Sequence, residues 1–131
     1  MTKEEELERL ISRARASWVT IRDFQSGKPL QEEDLKRAVV ELRDSLIKLY
    51  MQLAFILPQN AGNLANMMNK IQDSFNFYLI THEFTNIYGK NAKEDDSVRR
   101  AFLTFALNNI PPIEAVIDFF EFILKSIRGS R

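Results

Sequence analysis

The side chains that could carry chemistry are few: the sequence contains a single histidine, His82, and no cysteine. A zinc site or a carboxylate di-iron site needs more than one nitrogen or sulfur ligand beside its carboxylates. His82-Glu83 is followed by no second histidine, and no Glu-x-x-His motif occurs. The sequence therefore predicts no metal centre and no cofactor, and we interpret His82 as a core or boundary histidine with one hydrogen bond.

Nucleophilic catalysis and phosphate binding find equally little support. No serine lies in a Gly-x-Ser-x-Gly elbow, and one histidine would have to serve every acid-base step. Gly62 stands alone between polar residues, whereas a phosphate-binding loop needs clustered glycines before a helix. We therefore predict that the chain is not an enzyme.

Basic residues are balanced by acidic ones, since 18 Lys and Arg face 18 Asp and Glu. Such a chain has no global field that would gather nucleic acid. Local contacts between arginines and a phosphate backbone stay open as an alternative. Glutamates adjoin Arg9 and Arg13, however, and favour a salt-bridged surface there. The candidate phosphate contacts are Arg9, Arg13, Arg22, Arg99 and Arg100.

The elements that carry these residues are predicted to be helices, because every glycine and proline lies between or beyond stretches of four-three apolar periodicity. Thr2 with Glu5 forms a capping box before the first helix, and Gly27 ends it. Asp95 or Asp96 caps a short fourth helix, with Val98, Phe102 and Phe105 predicted as its inner face. The predicted helices are 3–24, 31–57, 60 or 63 to 88, 95 or 96 to 108, and 112–128.

The helix lengths predict an all-α fold. At about 1.5 Å per residue, three long helices span roughly 33–40 Å each, and short connections make them antiparallel neighbours. We predict one domain, 1–131, forming an up-down four-helix bundle whose last long segment is interrupted at Pro111-Pro112, so that five helices are counted. No apolar run is long enough to cross a bilayer.

Two helices carry more apolar surface than one bundle core requires. In the last helix, Ala115, Phe119, Phe122 and Ser126 form a second four-three stripe beside the core-facing one. In the second helix, the residues outside the main apolar seam include Met51 and Phe55. Surplus apolar faces predict a protein partner, either a second copy or another chain. Burial within a monomer is the alternative, and a membrane-surface role is disfavoured because the polar face of the last helix is acidic.

A short cysteine-free chain with this helix order, surplus apolar faces and no catalytic set resembles the small four-helix-bundle structural proteins of archaeal viruses. These include the major virion proteins of two-tailed and filamentous viruses. The resemblance covers the whole chain in length, helix order and composition, and it implies a structural role in a virion. It transfers no functional residue, and the neutral charge departs from the filamentous coat proteins that wrap DNA with basic extensions.

These observations predict a non-enzymatic structural or assembly protein that acts by self-association or protein–protein contact. The predicted interface residues are Ala115, Phe119, Phe122, Met51 and Phe55. The alternative is a small helical accessory subunit of a nucleoprotein complex, comparable to those of CRISPR effectors, with the arginines on phosphate. Steep loss of affinity with salt would distinguish that alternative.

Overall fold

The computed structural model of the chain describes residues 2–81 and 95–129, and these residues confirm the all-α prediction. They form five α-helices, with one 3-10 turn, Pro58–Asn60, after the second. His82 and the predicted continuation of the third helix to residue 88 lie outside the described residues. The helices are α1 (Lys3–Gln25), α2 (Glu32–Ile56), α3 (Ala61–Thr81), α4 (Asp96–Leu107) and α5 (Ile113–Gly129).

The helices begin where polar side chains satisfy their first backbone N–H groups. The Thr2 hydroxyl accepts a 3.1 Å hydrogen bond from the backbone N–H of Glu5. The Asp95 carboxylate accepts from the N–H groups of Ser97 and Val98, at 2.9 and 3.4 Å. Both predicted caps are therefore confirmed, and each fixes the point at which its helix starts.

Gly27 ends α1 in a left-handed conformation. Its φ is +113°, and it is the only described residue with a positive φ. The N–H of Gly27 donates to the carbonyl of Phe24, and the N–H of Lys28 donates to that of Asp23, each at 3.1 Å. This pair of bonds is the Schellman motif, which satisfies carbonyls that the helix end would otherwise leave without donors.

Replacing Gly27 with Ala is expected to lower the free energy of unfolding by about 1–2 kcal/mol, because an L side chain rarely adopts this φ. Gly62 provides the matched control, since it lies inside α3 and a Cβ added there meets no atom within 4 Å. Gly62→Ala should raise stability by up to about 1 kcal/mol. Urea denaturation measures the free energy of unfolding of both variants. Equal changes in the two would show that the backbone at position 27 accepts an L side chain without strain.

The helices pack around one apolar core. α1 packs along α2, α2 along α3, α5 on α1, and α4 on α3 with a lighter contact to α1. Over the described residues, α3 and α5 make at most marginal contact. Residues 61–70, the first half of α3, include no fully buried side chain. Buried side chains from all five helices include Ile21, Leu46, Phe75, Leu103 and Phe120.

Ion pairs orient α5 antiparallel to α1 along its whole length. The N···O distances lie between 2.7 and 3.1 Å, and the side chains are partly or largely exposed. Each exposed pair contributes little stability by itself, but together they turn the acidic face of α5 toward α1. The pairs are Arg22 with Glu114, Arg15 with Asp118 and Glu121, and Arg128 with Glu8.

The inner face of α4 differs from the predicted one. The buried residues are Arg99, Leu103 and Ala106, whereas the predicted Phe105 is 58% exposed. Phe105 packs on Phe77 of α3 at the surface instead, with ring centroids 5.1 Å apart. The helix is rotated by about one position from the prediction, and the guanidinium of Arg99 donates to the carbonyl of Leu30, a contact that apolar periodicity does not reveal.

Two buried tyrosines are expected to make the protein alkali-sensitive. Burial raises the pKa of Tyr78 well above its ordinary 10.0, against a smaller lowering by Arg99, and burial also raises the pKa of Tyr50. Above pH 10 the unfolded chain loses a phenolic proton that the folded chain keeps, so stability falls as pH rises. Tyr78 contributes up to about 1.4 kcal/mol of this loss per pH unit. Urea denaturation between pH 9 and 11 should show a shallower decline in Tyr78→Phe, and parallel declines would contradict this assignment.

Candidate protein interface

An apolar groove runs between the C-terminal end of α2 and the outer side of α5. Its volume is about 390 Å³. Among the described residues, none that lines it is charged, and Ser126 is the one polar lining residue. We call this surface the α2–α5 groove, and its lining residues are Leu53, Ile56, Leu57, Phe119, Phe122, Ile123, Ser126 and Ile127.

The predicted second stripe of α5 lies on the surface beside this groove. Phe119 is 46% exposed and Phe122 is 67% exposed, and both line the groove. Ala115 and Ser126, at the two ends of the stripe, are also exposed. The alternative prediction, that these residues are covered inside the monomer, is therefore wrong.

Aromatic packing fixes the rotation of α5 that leaves this stripe outside. Phe120 is fully buried and meets Tyr50 of α2 edge to face, with centroids 5.2 Å apart. Phe119 lies against Phe120 at 5.5 Å and therefore has one covered face and one exposed face. On the other side, the guanidinium of Arg22 binds Glu114 and holds the pKa of that carboxyl below its ordinary value. The core and the ion pairs thus occupy two sides of α5, and the apolar stripe takes the third.

The structure does not bring Met51 and Phe55 to the same surface. Both are exposed, at 47% and 73%, as expected for residues outside the seam. Phe55 faces a separate hollow with Gln52 and the start of α1, and neither residue lines the α2–α5 groove. The five predicted interface residues therefore divide into an α5 set and an α2 set on different faces.

Ile56 and Leu57 are groove residues that the sequence pattern does not identify as such. Ile56 follows the four-three apolar spacing of α2, which favours burial, yet it is 44% exposed. The position of Pro58 is the available signal, because α2 ends at Ile56 and its last apolar residues therefore lie at a helix terminus. Leu57 is 36% exposed at the same end.

Most of the candidate phosphate-binding arginines already bind groups within the chain. Arg9 pairs with Glu6 at 2.6 Å, and Arg22 pairs with Glu114 at 2.7 Å. Arg100 donates to the carbonyl of Phe24 at 2.7 Å. Arg99 is only 4% exposed, so it cannot reach a phosphate backbone in this conformation, and the prediction for that residue is wrong. Arg13 is exposed on α1.

Arg99 and Arg100 instead fasten α4 to the turn between α1 and α2. Their guanidinium carbons lie 5.2 and 4.6 Å from the centroid of the buried Phe24 ring. Arg99 also donates to the carbonyl of Leu30 at 3.0 Å and to the carboxylate of Asp96. These contacts combine cation–π attraction with hydrogen bonds to backbone carbonyls near the end of α1. We call this cluster the Phe24 latch.

The part of the chain that the structure describes contains no group of three or more His, Cys, Asp or Glu placed to hold a metal ion. Across residues 2–81 and 95–129, no helix combines the length and the hydropathy that crossing a bilayer requires. The sequence matches no protein family, and comparison with curated proteins and with solved structures found no match.

Proposed function

We propose that this chain is a non-enzymatic assembly protein that works by protein–protein contact through the α2–α5 groove. The observation that carries the proposal is the groove itself: an uncharged hollow of about 390 Å³ beside two largely exposed phenylalanines. An exposed apolar patch costs free energy in water, and such patches on soluble proteins mark interaction sites.

Self-association is the form of contact that we propose first. A second copy carries the same exposed apolar groove, so self-association requires no other partner. The predicted place in a virion is consistent with this role and stays a prediction. The nucleoprotein alternative has less support, because the arginines that would bind phosphate are mostly bound within the chain.

The test is the absolute mass of the protein by light scattering over a hundredfold concentration range, at low and high salt. We expect the mass to rise with concentration at both salt levels, because the described lining residues are uncharged and screening does not weaken apolar contact. A monomer at every concentration would contradict the proposed self-association. Assembly that disappears at high salt would show that charged surfaces, rather than the groove, hold the copies together.

A further inference from the structure

We propose that the occupant of the α2–α5 groove is α5 of a second copy, packed antiparallel across a two-fold axis. This inference rests on the proposed function and adds the geometry of the contact. The four stripe residues of α5 are exposed on one face of a helix of 17 residues. That face carries both the projecting rings and one wall of the groove that would receive them.

The spacing of the stripe is symmetric. Ala115, Phe119, Phe122 and Ser126 are separated by four, three and four positions, and the midpoint falls between the two phenylalanines. An antiparallel second helix therefore aligns each Phe119 with the other copy's Phe122, and each Ala115 with the other copy's Ser126. The large side chains then meet at the centre of the contact and the small ones at its ends. The same patch faces itself, as a two-fold interface requires.

The charges of α5 favour the same occupant. Its three acidic residues are directed to arginines of α1, with N···O distances between 2.7 and 3.1 Å, so two α5 helices can approach without facing like charges. A charged partner segment would find no counter-charge among the lining residues. The antiparallel arrangement also opposes the two helix dipoles, which a parallel pair would align. The acidic residues concerned are Glu114, Asp118 and Glu121.

The exposed apolar area suits a reversible dimer. An aromatic side chain buries about 150–250 Å². The exposed 46% of Phe119 and 67% of Phe122 thus offer on the order of 200 Å² per copy. Ile56 and Leu57 extend this area, and a standard interface needs about 800 Å² per partner. The two rings therefore supply about a quarter of such an interface, and the other groove residues add to it.

The absence of cysteine makes the geometry directly testable by disulfide cross-linking. Ala115→Cys and Ser126→Cys replace exposed residues, so both variants should keep the parent helix content by circular dichroism. In the antiparallel dimer, position 115 of one copy adjoins position 126 of the other. Two copies of position 115 are then about 16 Å apart along the helix axis, beyond the roughly 7 Å that a disulfide can join.

We expect oxidation of the mixed variants, one of them carrying a mass tag, to give at least tenfold more tagged–untagged dimer than either variant gives of its own dimer. Ser12→Cys, exposed on α1, is the matched control and should give only background. Efficient cross-linking of Ala115→Cys with itself would show a parallel pair and overturn the inference. Background cross-linking by all variants, while light scattering shows a dimer, would also overturn it and leave the proposed self-association standing. A monomer in light scattering would instead remove the proposed function.

Discussion

Replacing both Phe119 and Phe122 with Glu is expected to give a monomer at concentrations where the parent associates. In the inferred dimer the two positions face each other, so the double variant places four carboxylates in an uncharged, partly dehydrated contact. Burying unpaired charge costs several kcal/mol, and the like charges repel one another. We expect the dissociation constant to rise at least about 100-fold, which corresponds to roughly 2.7 kcal/mol. Light scattering or sedimentation measures it directly.

The variant should leave the fold intact, since both phenylalanines are exposed in the single chain. Met51→Glu with Phe55→Glu is the matched control: it adds the same charge at exposed positions of α2 that do not line the groove. We expect this control to associate like the parent. If the control dissociates and the α5 variant does not, the copies meet through the outer face of α2, and the α2–α5 groove is not the interface.

Replacing Phe24 with Ala is expected to lower the free energy of unfolding by about 3–5 kcal/mol. The ring is 1% exposed, so its removal leaves a cavity in the core. It also removes the surface on which both guanidinium groups of the Phe24 latch lie. Both guanidinium groups would lose this contact, that of Arg100 at 4.6 Å from the ring centroid and that of Arg99 at 5.2 Å. Urea denaturation measures the loss.

Phe24→Leu separates the two contributions, because leucine fills most of the cavity and provides no aromatic face. We expect the free energy of unfolding of Phe24→Leu to lie between that of the parent and that of Phe24→Ala. In a double-mutant cycle, Arg100→Ala should cost less in the Phe24→Leu background than in the parent. Additive costs would show that the arginines contribute to stability only through their bonds to backbone carbonyls.

The helices could be predicted from the sequence because their signals are local. Thr2, Gly27 and Asp95 act within one turn of their own positions, so each can be identified without knowledge of the fold. The surplus stripe of α5 could be predicted for the same reason, since its spacing is a property of one helix. A helix wheel gives the angle of a residue about its own axis, and Phe119 and Phe122 needed only that angle to be placed outside.

Features that depend on neighbouring helices could not be predicted. The wheel shows that Phe55 and Phe122 both lie outside their seams, but not that the two residues are on different faces of the bundle. Arg99 is charged and therefore ranks as a surface residue, yet the carbonyl of Leu30 and the ring of Phe24 draw it inside. Both groups lie far from Arg99 in the sequence, so no local pattern predicts these contacts. Ile56 lies at the last position of α2 and lines the α2–α5 groove, which its place in the apolar seam does not reveal.

The sparse burial along the first half of α3 has a consequence for hydrogen exchange. Its fully buried residues begin at Ile71 and continue with Ser74, Phe75 and Tyr78, whereas residues 61–70 include none. We therefore expect the first segment to open at a free energy well below that of global unfolding, so that its amides exchange through local fraying. The half-buried, unbranched side chains of Met67 and Met68 can repack as this segment moves. We thus expect slow amide exchange in the well-buried helices and faster exchange in residues 61–70.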